Sequence, residues 1–170
     1  MPIKSLLLPL LFAPMLLMAQ FLHAASPIPD GARAAAARQE KQQKRAGPEQ
    51  AIKHVLLSQV DAWNHGRLED YMQGYWRSPD LTFFSGGTVT KGWEPTLERY
   101  RKRYQGEGRE MGRLDFQDLK IDVLGRRAAV VTGKWHLTTS DGKNPHGLFT
   151  LIFKRMPEGW RIMHDHTSAE

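Results

Sequence analysis

From residue 114 onward the chain alternates. Residues 114–123, 127–139, 147–155 and 160–167 each read with period two, and the short turns LGRR, SDGKNP and MPEG separate them. Side chains two apart share one face of a strand, and connections this short join antiparallel neighbours. Such a stretch has few ways to fold other than a meander of four long strands.

What precedes the meander must cover it. Residues 48–64 place Ile52, Val55, Leu56, Val60 and Trp63 at helical spacing. Pro48 suits the first turn of that helix and Gly66 its C-terminal cap. Over residues 67–75, Leu68, Tyr71, Met72 and Tyr75 share one helical face. Residues 81–84 read as a short strand returning through 88–90 after the turn SGG. A third helix opens at WEP and continues as TLERYRKRYQ; Leu97, Tyr100 and Tyr104 form its apolar stripe, and Arg99, Arg101, Lys102 and Arg103 are expected mostly to face water. Helices first and a meander after predict an α+β fold, its helices covering one face of a strongly curved antiparallel sheet.

The first 48 residues stand apart. Lys4 is followed by the apolar run SLLLPLLFAPMLLMAQFL and then the small residues of HAAS, the pattern of a secretory signal peptide cut after Ala24 or Ala25. Pro9 and Pro14 interrupt that run, and it is short for a span of about 20 residues, so the pattern argues against a permanent membrane anchor. Residues 25–48 are rich in Pro, Gly, Ala, Gln and charge, with no large apolar residue after Ile28, the composition of a disordered tether. The tether carries a net +3 and Lys4 one more, which leaves +2 of the chain's +6 for residues 49–170. A folded part at +2 does not point to nucleic acid. The expected organisation is a signal peptide over 1–24, a basic tether over 25–48 and one domain over 49–168, with a periplasmic or secreted location. With no cysteine in the chain, neither a disulfide nor a lipid on cysteine enters the argument.

Three stretches carry a resemblance: AWNHGRLEDY in the first two helices, the GW-x-x-x-x-x-x-Y opening of the third, and the ending GWRIMHDHTS. Together with the element order they resemble the nuclear-transport-factor-2-like superfamily, which includes SnoaL-like polyketide cyclases and ketosteroid isomerase. The ending is most similar to that of the association domain of calcium/calmodulin-dependent protein kinase II, W-x-x-V-H-x-H-x-S. The resemblance spans residues 49–168. It implies a cone-shaped sheet wrapped around helices, a blind pocket, and a homodimer formed sheet to sheet. It implies no particular reaction, since the superfamily holds isomerases, dehydratases, cyclases, carriers and assembly domains. Arg67 stands where many relatives have aspartate, and of two arginine positions in the association-domain pocket, one is Lys134 here and the other Leu151.

The ending also contains His164, Asp165 and His166. Strict alternation puts Trp160, Ile162, His164 and His166 on one face and Arg161, Met163 and Asp165 on the other, so the three cannot form a relay. The histidines then stand roughly 7 Å apart along the strand. A shared metal ion needs a third ligand, and His136, His54 and Asp61 stand at no telling spacing, so no metal is assigned. His164 and His166 remain candidates for pocket acid/base groups, against the reading that both rings merely satisfy hydrogen bonds in the sheet or at a subunit contact. Tyr71, Trp76, Phe84, Tyr100 and Lys134 are the candidate ligand-lining residues, against a purely structural core role. No Ser-His-Asp order, nucleotide loop or zinc signature occurs. Two functions are expected from this pattern: an exported binding or assembly module for a small apolar or acidic ligand, or a cofactor-independent isomerase, dehydratase or cyclase using a pocket histidine.

Overall fold

The computed structural model describes residues 47–169. The expected signal peptide and all but the last residues of the expected tether lie outside the described residues. The first helix, α1 (Pro48–Asn64), has Pro at its first turn and buries Ile52, Leu56, Gln59, Ala62 and Trp63. Burying side chains like Ile52 and Leu56, both at 0% exposure, stabilises by roughly 1.5–3 kcal/mol each. Helix α1 closes through Gly66, whose positive φ lets the Arg67 N–H reach the Ala62 carbonyl. Just before that cap, the Asn64 amide accepts from the Leu114 N–H at 2.7 Å and donates to the Leu114 carbonyl at 3.1 Å. One polar side chain thus pins α1 to the meander.

Helix α2 is shorter than its pattern predicts, running only over Leu68–Met72. The chain then leaves the helix so that Gly74 and Trp76 can bond the backbone of Ile162 on both sides, bringing Tyr75 beside the last strand. Strands β1 (Thr82–Ser85) and β2 (Thr88–Lys91) form a hairpin through Gly86 and Gly87. Both glycines have positive φ, as a two-residue hairpin turn requires. Helix α3 (Trp93–Tyr100) passes into a π-helical turn at Arg101–Gln105 rather than continuing as one α-helix.

Four long strands follow: β3 (Arg113–Leu124), β4 (Ala128–Thr138), β5 (His146–Met156) and β6 (Gly159–Thr167). The six strands lie in the order β2-β1-β6-β5-β4-β3, an open curved sheet with the helices on its inner face. The meander is antiparallel throughout, as its short turns predict. The pairing of β1 with β6 is parallel, which is possible because β2, α3 and three further strands, not a tight turn, separate them in sequence.

Two irregularities bend the sheet. The register of β3 against β4 shifts between Gln117 and Lys120, where Asp118 takes a φ of 53°. The register of β5 against β6 shifts because Ile152 faces His164 while the adjacent Phe153 faces Ile162, leaving Met163 as an extra residue. Bulges of this kind increase twist and re-aim the side chains beyond them. No helix among the described residues is long and apolar enough to cross a membrane.

Candidate functional site

Between the helices and the inner face of the sheet lies a cavity of about 90 Å³. Its wall is largely aromatic. Trp63 from α1, Tyr71 from α2 and Tyr100 and Tyr104 from α3 and the π-turn meet edge-on or stacked, with ring centroids 4.8 to 6.0 Å apart. Phe83, Phe116, Trp135 and Phe149 complete the sheet side. Polar groups are few and specifically held. Gln59 donates to the Tyr71 carbonyl, and Trp63 donates to the Met111 carbonyl.

The buried polar centre is Asp165, only 3% exposed. It accepts a hydrogen bond from the Tyr75 hydroxyl at 2.7 Å and another from the Thr167 hydroxyl at 2.6 Å. The Tyr71 hydroxyl stands 3.5 Å from that of Tyr75, extending the network. No cation among the described residues forms an ion pair with this carboxylate, so loss of water dominates and pushes its carboxyl up to about 6, against the opposing pull of Thr167, Tyr75 and His166. The same burial, with the negative charge of Asp165 adding to it, raises the tyrosine hydroxyls at 71 and 75 well above their ordinary value. These tyrosines are hydrogen-bond donors and not bases at neutral pH.

Two arginines supply the opposite charge. The guanidinium of Arg99 donates to the Thr90 hydroxyl and the Ser85 carbonyl and lies 5.2 Å from the Phe83 ring. Arg103 donates to the Tyr104 hydroxyl on the exposed side of the cavity. A small molecule here meets a carboxyl and hydroxyls at the buried part, aromatic faces along its body and guanidinium groups toward solvent. Such an arrangement can hold a ligand or move a proton.

A family model for the SnoaL-like domain matches residues 52–170. The chain belongs to the SnoaL-like domain family. An NTF-2 like protein of unknown function from Shewanella oneidensis MR-1 is 37% identical, with a TM-score of 0.67, over 72% of this chain and 99% of that one. A nuclear transport factor 2 superfamily protein from Salmonella enterica shares the fold at 21% identity and a TM-score of 0.61, over 72% of this chain and 92% of the other. A protein from Xanthomonas campestris, described as a calcium/calmodulin dependent protein kinase II association domain, does so at 16% identity and a TM-score of 0.55, over 74% and 90%. No curated protein matches the chain.

In this SnoaL-like domain the strict alternation expected of β6 is broken by Met163. Ile162 lines the cavity, and beyond the bulge it is Asp165 and Thr167 that do so. His164 and His166 therefore stand on the outer face, where both rings pack edge-on against Phe84. Of the candidate lining residues, Tyr71 and Tyr100 line the cavity. Phe84 does not, because its neighbour Phe83 holds the inward position of β1. Trp76 is held at the edge by its backbone N–H to Ile162, and Lys134 lies on the outer face, 2.7 Å from the Asp118 carboxylate. Arg99 and Arg103, expected to face water, both border the cavity.

The outward histidines still differ from one another. The His164 ring shares a 2.6 Å hydrogen bond with Thr82 across the parallel pairing, whereas His166 is exposed. Burial, and then the neighbouring His166, lower the pKa of His164 below its ordinary 6.5. A histidine depressed in the folded state takes up its proton more readily when unfolded, so its stabilising contribution is lost as pH falls below 6.5. His164→Gln is expected to cost about 1 kcal/mol and to weaken that acid-side loss, while His166→Gln stays within about 0.5 kcal/mol. Thermal melts from acid to neutral pH check this, and a more damaging His166→Gln would overturn it.

Proposed function

We propose that this chain is an exported, dimeric binding module whose cavity holds a small apolar molecule bearing an acidic group. The observation that carries this reading is the polarity of the cavity: Asp165 is buried with no cation partner among the described residues, while the lining guanidinium groups of Arg99 and Arg103 make their bonds elsewhere. An ionised ligand turned toward Asp165 meets like charge, and turned toward the arginines it meets charge-assisted donors. The aromatic wall between accepts an apolar body, and Tyr75 and Tyr71 can bond a neutral oxygen at its far end.

The dimer rests on the outer face of the meander. Leu148 at 50% and Ile152 at 37% exposure stand there beside His164 and Phe84. The association-domain description of the Xanthomonas campestris protein supports the same reading. Export rests on the charged, apolar and small-residue succession of the first 25 residues.

One observation favours a second reading, a cofactor-independent isomerase, dehydratase or cyclase. A carboxyl near 6 in a cavity of aromatic walls is suited to giving and taking a proton at neutral pH. In that reading Asp165, rather than the candidates His164 and His166, is the acid/base group. Native mass spectrometry of the protein purified from its own host tests the proposal. The expected spectrum shows a dimer carrying a non-covalent small acid. Bare monomer at every concentration would sink the proposal, and conversion of the released molecule on returning it to the protein would favour the enzyme.

A further inference from the structure

At one end of the sheet, two hairpin turns lie side by side. The β3–β4 turn carries Arg126 and Arg127, and the neighbouring end of β5 carries Lys154 and Arg155 just before Pro157 of the β5–β6 turn. The two are tied by the Arg155 N–H donating to the Arg127 carbonyl at 2.9 Å. Arg126, Arg127 and Arg155 surround one surface groove with Met156 and Pro157. All four cations are exposed.

Several surface cations of this domain have acidic partners, among them Arg67 with Asp61, Arg77 with Glu94, Arg101 with Glu69 and Lys120 with Asp122. The four at this end have none among the described residues. The acid closest in sequence on the β3 side, Asp122, is engaged by Lys120. The acid of the β5–β6 turn, Glu158, accepts from Arg161 through its backbone carbonyl and makes no ion pair among the described residues. The groove is thus a concentration of positive charge that no acid among the described residues neutralises.

Beside the cations, Leu124 is 59% and Val123 38% exposed at the tip of β3. A free phosphate-sized anion has no use for exposed aliphatic side chains. A surface with phosphate headgroups above hydrocarbon uses both, since the guanidinium groups can bond phosphate oxygens while the leucine enters the acyl boundary. We infer that this hairpin end is a peripheral docking site for anionic phospholipid, built from Arg126, Arg127, Arg155 and Lys154 with Leu124 as the inserting side chain.

The test is co-sedimentation of the whole protein, as isolated from cells, with phosphatidylglycerol/phosphatidylcholine vesicles and with pure phosphatidylcholine vesicles. Each arginine near an anionic surface contributes on the order of fivefold in affinity, so an Arg126→Gln/Arg127→Gln/Arg155→Gln triple variant is expected to bind the anionic vesicles about a hundredfold more weakly. Leu124→Ser is expected to weaken binding several-fold with all cations in place, and added salt to weaken the wild type more than the triple variant. The basic tether is common to every protein compared, so it cannot produce these differences. Equal binding by wild type and triple variant, or equal binding to both vesicle types, overturns the proposal. So does an unaffected Leu124→Ser variant whose anionic-vesicle binding is abolished by millimolar inorganic phosphate, since that pattern marks a site for free anions. Melting temperatures unchanged across the variants show that any loss comes from the surface and not from the fold.

Discussion

Asp165→Asn is expected to raise the melting temperature at neutral pH and to flatten its dependence on pH. The carboxyl titrates near 6 in the folded state and near 3.8 when unfolded. Between those values the folded protein retains a proton that the unfolded chain has released, so stability falls as pH rises through this interval. Below 3.8 both states are protonated and the group is neutral in the balance; above about 6 the whole penalty of a buried carboxylate is present. That penalty is about 3 kcal/mol. Asparagine keeps the size of the side chain and carries no charge at any pH. Its oxygen can accept from one of the hydroxyls of Tyr75 and Thr167, and its amide can donate to the other.

The gain at pH 7 is therefore expected to approach 10 °C, on the order of 3–4 °C per kcal/mol for a domain of this size. Melts of both proteins from pH 4 to 8 read it directly. A difference between the two proteins that stays constant from pH 4 to 6, or an asparagine variant that melts lower at pH 7, would show that Asp165 is not a strained charge. The same variant separates the two functional readings. A binding module keeps its ligand, because the hydrogen bonds survive. An enzyme loses turnover while still binding, because the proton carrier is gone.

The fold was legible because its signals are local and repeated. Period-two segments with turns between them predict the meander, and all four strands occur within a residue or two of their expected ends. The helical stripe of Ile52, Leu56 and Trp63 likewise predicts which face of α1 is buried. The site was less legible, for two physical reasons. Alternation is a counting rule, and a single extra residue reverses everything after it. Met163 is that residue, and neither glycine nor proline marks it. The one sign in the sequence is the adjacent apolar pair Ile162 and Met163, which an alternating strand with one wet face does not call for. A second miss has a different cause. Arg99 has the composition of a solvated helix face, yet contacts with Ser85, Thr90 and Phe83 turn it along the cavity, and those partners belong to strands that no helical pattern can foresee.

The largest loss of stability at the site is expected from Trp63→Ala. Trp63 is 3% exposed and is the ring on which the others converge, with Tyr71, Tyr100 and Tyr104 all edge-on to it. Its indole N–H also donates to the Met111 carbonyl at 3.0 Å, fastening α1 to the segment that leads into β3. Truncation removes the ring, its aromatic partners' contacts and that bond together, a cost of about 3–5 kcal/mol. Trp63→Phe keeps a ring and loses the donor, so about 1–2 kcal/mol is expected, most of it from the carbonyl left without its partner. Urea unfolding measures both. The alanine variant should also enlarge the cavity next to Tyr71 and so accept a bulkier ligand than the wild type, if its fold survives at low temperature. A loss below about 1 kcal/mol for Trp63→Ala would mean that the aromatic wall repacks freely. A wall that repacks freely could not impose the separation of Asp165 from the arginines on which ligand orientation depends.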